Sequence, residues 1–201
     1  MGIKVCKFGG TSMADGNIIQ SAAKIVAADP ARRYVVVSAP GKRFGGDIKV
    51  TDLLYKCSEL AETGGAFEAE FSKIRTRFLN IEKEIGLDLG VEGMLDEIEE
   101  RVLRGEGRDY CASRGEYLAA RIMAAVLDVP FVDAADIVRF KADGSLDEET
   151  YALAASVLKK YARAVVPGFY GRGADGKIKT FSRGGSDISG AVLARAVKAS
   201  L

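Results

Sequence analysis

IKVCKFGGTSMADGNIIQSAAKIVAADPARRYVVVSAPG, residues 3–41, is the stretch on which the fold turns. Its apolar run at 3–8 stops at Gly9-Gly10. A second run at 34–37, rich in β-branched valine, stops at Ser38-Ala39-Pro40-Gly41. Both read as buried strands that leave into glycine-containing loops. Between them, residues 17–28 carry Ile18, Ala22, Ile25, Val26 and Ala28 at helical spacing, and the pattern ends near Pro30. Strand, helix and strand in that order make a βαβ unit, so the first expectation is a parallel sheet.

Working outward, residues 51–127 are mostly helical in pattern, broken at Gly64-Gly65, and form a long helical insertion. The charge-rich run at 68–77 reads there as a solvated helix face. Phe131-Val132 after Pro130 predicts a short strand, and Ser145-Leu146-Asp147-Glu148 has the Ser-x-x-Glu form of a capping box ahead of a helix bearing Tyr151, Ala154, Ala155, Leu158 and Tyr161. Residues 164–166 predict a strand running into Pro167-Gly168. Gly171-x-Gly173-x-x-Gly176 precedes a strand-like segment at 177–181 instead of opening a helix, so it reads as a hairpin turn and not a dinucleotide fingerprint. A final helix at 187–198 would place Ile188, Ala191, Val192 and Ala196 on one face. The fold class is therefore α/β, a mainly parallel sheet sandwiched by helices, and the alternation calls for another strand after residue 199.

Lys plus Arg total 29 against 28 Asp plus Glu, a net charge of +1 that offers nothing to a nucleic acid or a membrane surface. No apolar run is long enough for a signal peptide or a membrane span. Three cysteines, Cys6, Cys57 and Cys111, lie far apart without metal or redox spacing, which suits a reducing cytoplasm, and Cys6 reads as a core filler. The chain has no histidine, which removes His-based triads, His general bases and most zinc sites; no metal site is assigned to its side chains.

Chemistry concentrates at two glycine pairs. Lys7-Phe8-Gly9-Gly10-Thr11-Ser12 lies at the end of the first strand, where an α/β sheet opens its ligand crevice. Adjacent glycines let backbone amides approach an anion, and Lys7 adds a point charge suited to a transferring phosphoryl group. Ser182-Arg183-Gly184-Gly185-Ser186-Asp187 leads into the final helix, whose free amides attract carboxylate or phosphate. Arg183 offers a two-pronged partner for a carboxylate, and Ser186 or Asp187 would cap the helix.

KFGGTS at 7–12, VVVSA at 35–39, RGE at 114–116, FVDA at 131–134, PGF at 167–169 and RGGSD at 183–187 occur in the order and rough spacing of the aspartate kinases of the amino-acid kinase family, which the chain resembles over essentially its whole length. The resemblance implies transfer of a phosphoryl group from ATP, with Mg2+ carried mainly by the nucleotide, to the β-carboxylate of L-aspartate. It implies Lys7 and Asp187 as catalytic, and Gly9, Gly10, Gly184 and Gly185 as phosphate-contacting. Ser38, Thr51, Glu116, Arg183 and Ser186 would bind substrate, Glu116 at the α-ammonium and Arg183 at the α-carboxylate. Three departures stand out. The loop PGKRFGGDIKV at 40–50 is longer than the usual link, Asp52 stands where asparagine is common, and Thr180-Phe181-Ser182 replaces the frequent Thr-Leu-Gly. Arg114 is expected at the surface or in a salt bridge. By the same resemblance residues 1–201 correspond to the amino-terminal substrate lobe without the nucleotide lobe and regulatory domains, and the full enzyme is expected to be a cytoplasmic homo-oligomer. The other readings are a different carboxylate kinase of the superfamily, or an aspartate-binding or interaction fragment without activity of its own.

Overall fold

The computed structural model describes residues 2–182 and 184–200. Three strands, β1 (Lys4–Phe8), β2 (Arg32–Val37) and β3 (Ala164–Pro167), form a parallel sheet in the order β1-β2-β3. Helix α1 (Gly16–Ala27) makes the first crossover. The second crossover holds α2 (Val50–Glu62), α3 (Glu68–Ile85), α4 (Val91–Leu103), α5 (Arg108–Leu127), the short α6 (Ala134–Ile137) and α7 (Glu149–Leu158). A 3-10 turn (Gly10–Met13) follows β1, and an antiparallel hairpin, β4 (Tyr170–Arg172) with β5 (Ile178–Thr180), and helix α8 (Gly185–Ala196) complete the described elements.

The sheet is buried on both faces, and its pleat sorts side chains into two cores. Val35, Val37 and Val165 point into a core built with α1 to α5, whereas Tyr34, Val36, Ala164 and Val166 point into a second core with α6, α7 and α8. A continuous valine run is what such a strand requires. Tyr34 is fully buried yet satisfied, because its hydroxyl donates to the carbonyl of Leu158 at 3.0 Å.

Several local expectations are corrected. In α1 the inward residues are Ile19, Ala22, Ala23 and Val26, while Ile18 and Ile25 are 37% and 54% exposed. Each apolar doublet, 18–19 and 25–26, could present either member. The Asp15 cap, which accepts from the Ile18 amide, starts the helix in the phase that turns the second member inward. The capping box at 145–148 does not form: the Ser145 hydroxyl bonds Asp143, α7 begins at Glu149, and Asp147 accepts from the Glu149 amide. Helix α8 starts at Gly185 behind Gly184, with no side-chain cap, so Ser186 and Asp187 lie inside its first turn. That two-residue shift buries Ser189, Val192 and Leu193 and leaves Ile188 39% exposed. Phe131 makes one parallel bridge to Val165 and no strand. The charged run at 68–77 is not wholly solvated, since Arg77 is buried among Phe71, Ile74 and Phe78 on the core side of α3. Arg114 is neither at the surface nor, among the described residues, in an ion pair. It lies 4.7, 4.6 and 5.3 Å from the ring centres of Tyr110, Tyr117 and Tyr170.

No helix of the described chain is long and apolar enough to cross a membrane.

Candidate functional site

The carboxyl ends of β1 and β2 open onto a cavity of about 430 Å3, lined by Gly10, Ser38, Gly41, Thr51 and Glu116 among others. It is closed by backbone. The Ser38 amide bonds the Phe8 carbonyl, and the Gly41 amide bonds the Gly10 carbonyl at 2.8 Å. A Cβ on Gly10 would stand 3.1 Å from the Gly41 Cα, and one on Gly41 would stand 2.7 Å from the Gly10 carbonyl carbon. Two glycines are thus needed for the loops to touch.

Glu116 reaches this cavity from a helix, not from a strand end. Gly115 is the reason: a Cβ there would fall 2.7 Å from the Ala39 Cβ, so its absence lets α5 lie directly on the 38–41 turn. Glu116 is 4% exposed, and its Oε2 has no hydrogen-bond partner among the described residues. Burial pushes its carboxyl up to about 8; the Ala39 backbone and the charges of Arg114 and Lys7 pull the other way without cancelling it. Once ionised, such a carboxyl is an acceptor for a cation.

Beside the cavity, Lys7 Nζ pairs with Asp187 Oδ1 at 2.7 Å. Lys7 projects from β1 and Asp187 from the first turn of α8, which passes over the Lys7 stem at Gly190, where a Cβ would make ordinary contact 3.4 Å from that of Lys7. Gly9 lies next to the Lys7 ammonium, its Cβ position 3.5 Å from Nζ. The α8 end is seated from below. Ser189 Oγ accepts from the Phe169 amide at 3.0 Å and donates to the Gly185 carbonyl at 2.8 Å. Phe169 holds φ 77, a left-handed value seldom adopted outside glycine, and a Cβ on Gly185 would collide with its ring at 2.6 Å. Ser186 is buried against Gly168.

Of the residues singled out in the sequence, Gly10, Ser38, Thr51 and Glu116 thus share one cavity, with Gly9, Lys7 and Asp187 beside it. Ser186 faces the β3–β4 turn, Gly184 and Gly185 form the start of α8, and Arg183 lies outside the described residues. Sequence reasoning passed over Lys42 and Lys49, which line the same cavity, and Ser189, whose signal was only its place on the inner face of α8. Thr51 stands in the first turn of α2, so that helix directs its amino-terminal end at the cavity. Such a set can bind an ammonium at Glu116 and anions at the glycine amides, Lys7 and the helix end.

The profile of the Amino acid kinase family matches residues 2–201. The chain is 35% identical to Aspartokinase 3 of Bacillus subtilis over 216 aligned residues, covering 99% of this chain and 47% of that protein. It is 30% identical to the lysine-sensitive aspartokinase 3 of Escherichia coli, covering 98% and 47%. A crystal structure of Clostridium acetobutylicum aspartate kinase superposes with a TM-score of 0.96 at 39% identity, over 99% of this chain and 46% of that one. E. coli aspartokinase III in complex with aspartate and ADP superposes with a TM-score of 0.81 at 29% identity, over 98% and 47%. The chain therefore spans about half the length of the relatives it matches.

Proposed function

Because this chain belongs to the amino acid kinase family, we propose that it forms the substrate-binding part of an aspartate kinase, which moves a phosphoryl group from ATP to the β-carboxylate of L-aspartate, the first step toward lysine, threonine and methionine. One observation carries the choice of substrate class: a buried carboxyl, Glu116, with an oxygen that lacks a partner among the described residues, on a cavity that otherwise offers cations, hydroxyls and amides. A free amino acid with an acidic side chain brings one ammonium and two carboxylates, the complement of that lining.

In this reading Glu116 takes the ammonium, Ser38 and Thr51 hydrogen-bond the substrate, and Arg183, by resemblance alone, takes the α-carboxylate. The attacking carboxylate is already ionised, so no general base is required, and the lack of histidine is no handicap. Lys7 is positioned to stabilise charge on the transferring phosphoryl oxygens, and Asp187 holds the Lys7 ammonium in place across their 2.7 Å contact. The amides of Gly9, Gly10, Gly184 and Gly185 are available to the same oxygens. By the same resemblance Mg2+ is carried mainly by the nucleotide phosphates, whose charge it neutralises.

The test is an ADP-release assay on the protein carrying these residues, with L-aspartate and ATP as substrates and L-glutamate as competitor. Aspartate-dependent ADP release is expected. Release that is independent of aspartate, or faster with glutamate, overturns the assignment.

A further inference from the structure

The long loop between Pro40 and Val50 carries Lys42 and Lys49 to the cavity, where, among the described residues, they are the lining cations and Glu116 the lining acid. The loop has little to hold it by itself: a Cβ on Gly45 would meet nothing within 4 Å, Phe44 is 63% exposed and Ile48 45%. It is nevertheless tied at both ends by one buried guanidinium from α3. Arg77 donates through Nη1 to the Gly41 carbonyl at 2.9 Å and through Nη2 to Asp47 Oδ2 at 2.5 Å. Arg43 grips the same carboxylate with two nitrogens at 2.8 and 3.1 Å. Arg77 and Asp47 are 5% and 9% exposed in their side chains, so the buried Arg77 charge depends on Asp47 for its compensation, while Asp47 is shared between Arg77 and Arg43. Gly41, held by Arg77, in turn bonds Gly10 on the cavity wall.

We propose that Arg77 is a positioning residue for an acidic substrate: through Gly41 and Asp47 it fixes the 40–49 loop so that Lys42 and Lys49 face the cavity and bind a substrate carboxylate. The inference rests on the aspartate kinase reading for the identity of the substrate, and adds residues that determine its charge specificity. Two lysines and Thr51 in the first turn of α2 line the same cavity as the buried carboxyl that would take the ammonium. A loop this long pays an ordering cost when it closes on a ligand, and an anchor formed beforehand lowers it.

A double-mutant cycle on L-aspartate affinity, measured by calorimetry on the protein carrying this chain, decides the matter. Lys42→Ala with Lys49→Ala should weaken aspartate about tenfold or more, the usual effect of removing a charged hydrogen-bond partner. Arg77→Met should weaken it by a similar factor. The triple variant should be no weaker than the lysine pair alone by more than about threefold, because Arg77 acts only through those lysines. ADP affinity should stay unchanged throughout. Independent, multiplying losses from Arg77→Met and the lysine pair overturn the positioning role. If Arg77→Met does not fold, the lysine pair still decides, since both sites are exposed: unchanged aspartate affinity there overturns the proposal. An unmodified protein that binds no aspartate overturns the aspartate kinase reading and this proposal with it, whereas aspartate binding with multiplying losses overturns this proposal alone.

Discussion

The two glycine pairs look alike in sequence and differ in what they demand of the backbone. Gly9 and Gly10 sit in ordinary extended and turn geometry, Gly9 at φ −79, and glycine is needed at Gly10 because another loop, at Gly41, touches it. Gly184 faces open space and is needed for its left-handed φ of 56, while Gly185 is needed to clear the Phe169 ring. One turn is held by contact between loops, the other by a twist ahead of a helix. Lys7 and Asp187, 2.7 Å apart, tie the first to the second. A pair of adjacent glycines is therefore not one motif with one physics, and substitutions should separate the two turns.

The largest effect is expected where the turns are joined. Lys7→Ala should lower kcat about a hundredfold or more with little change in aspartate KM, because its charge acts mainly on the transition state. Steady-state kinetics with unchanged kcat would sever the two turns functionally.

Next comes pH, felt through the first turn only, since Glu116 underlies it. Its folded carboxyl, raised to about 8 from 4.5, must ionise to take an ammonium. Aspartate affinity should thus climb about tenfold per pH unit up to roughly pH 8, with proton release on binding, and both trends should vanish in Glu116→Gln. Calorimetry in buffers of different ionisation enthalpy reads the proton. The stability sign is opposite: a raised acid binds its proton more tightly when folded, so its contribution is whole below about pH 4.5 and is lost as pH rises to about 8.

Gly41→Ala should break the loop contact and cost about 1–3 kcal/mol, because backbone atoms at 2.7 Å must move apart. Gly184→Ala is the mildest, about 1–2 kcal/mol of left-handed strain, relieved in part by Gly184→Asn. Denaturant titration that ranks Gly184→Ala above Gly41→Ala would reverse the contrast between the turns.

Much of the fold was legible because it rests on short-range pattern. Val35 to Val37 announce a strand buried on both faces, and Gly173 and Gly176 a hairpin. What was not legible depended on helical phase and on contacts distant in sequence. The doublets at 18–19 and 25–26 satisfy two phases equally, and only the Asp15 cap decides between them. Ser145 found Asp143 before it could reach a helix. Arg77 looked solvated by its type, yet it stands three residues after Ile74 and four before Ile81, the spacing of the core face, and its partner Asp47 is 30 residues away. Within the site, residue types and order indicated Lys7, Glu116 and Asp187. That the helix carrying Glu116 lies against the 38–41 turn depends on Gly115 packing against Ala39, which no local pattern reveals.

The ring of tyrosines around Arg114 gives the molecule an optical gauge. The chain has seven tyrosines and no tryptophan, so its near-ultraviolet absorbance and emission arise from phenols. Burial pushes the Tyr110 phenol up to about 12 and Tyr170 well above its usual range, and the Tyr170 hydroxyl donates to Asp133 at 2.8 Å. In an alkaline absorbance titration these two phenols should ionise late, Tyr170 only as the surrounding core opens. The helix that contributes Tyr110 and Arg114 to that ring also carries Glu116, two residues further on. The late phenolate signal therefore reports, without any added dye, whether the helix that delivers the buried carboxylate is still seated.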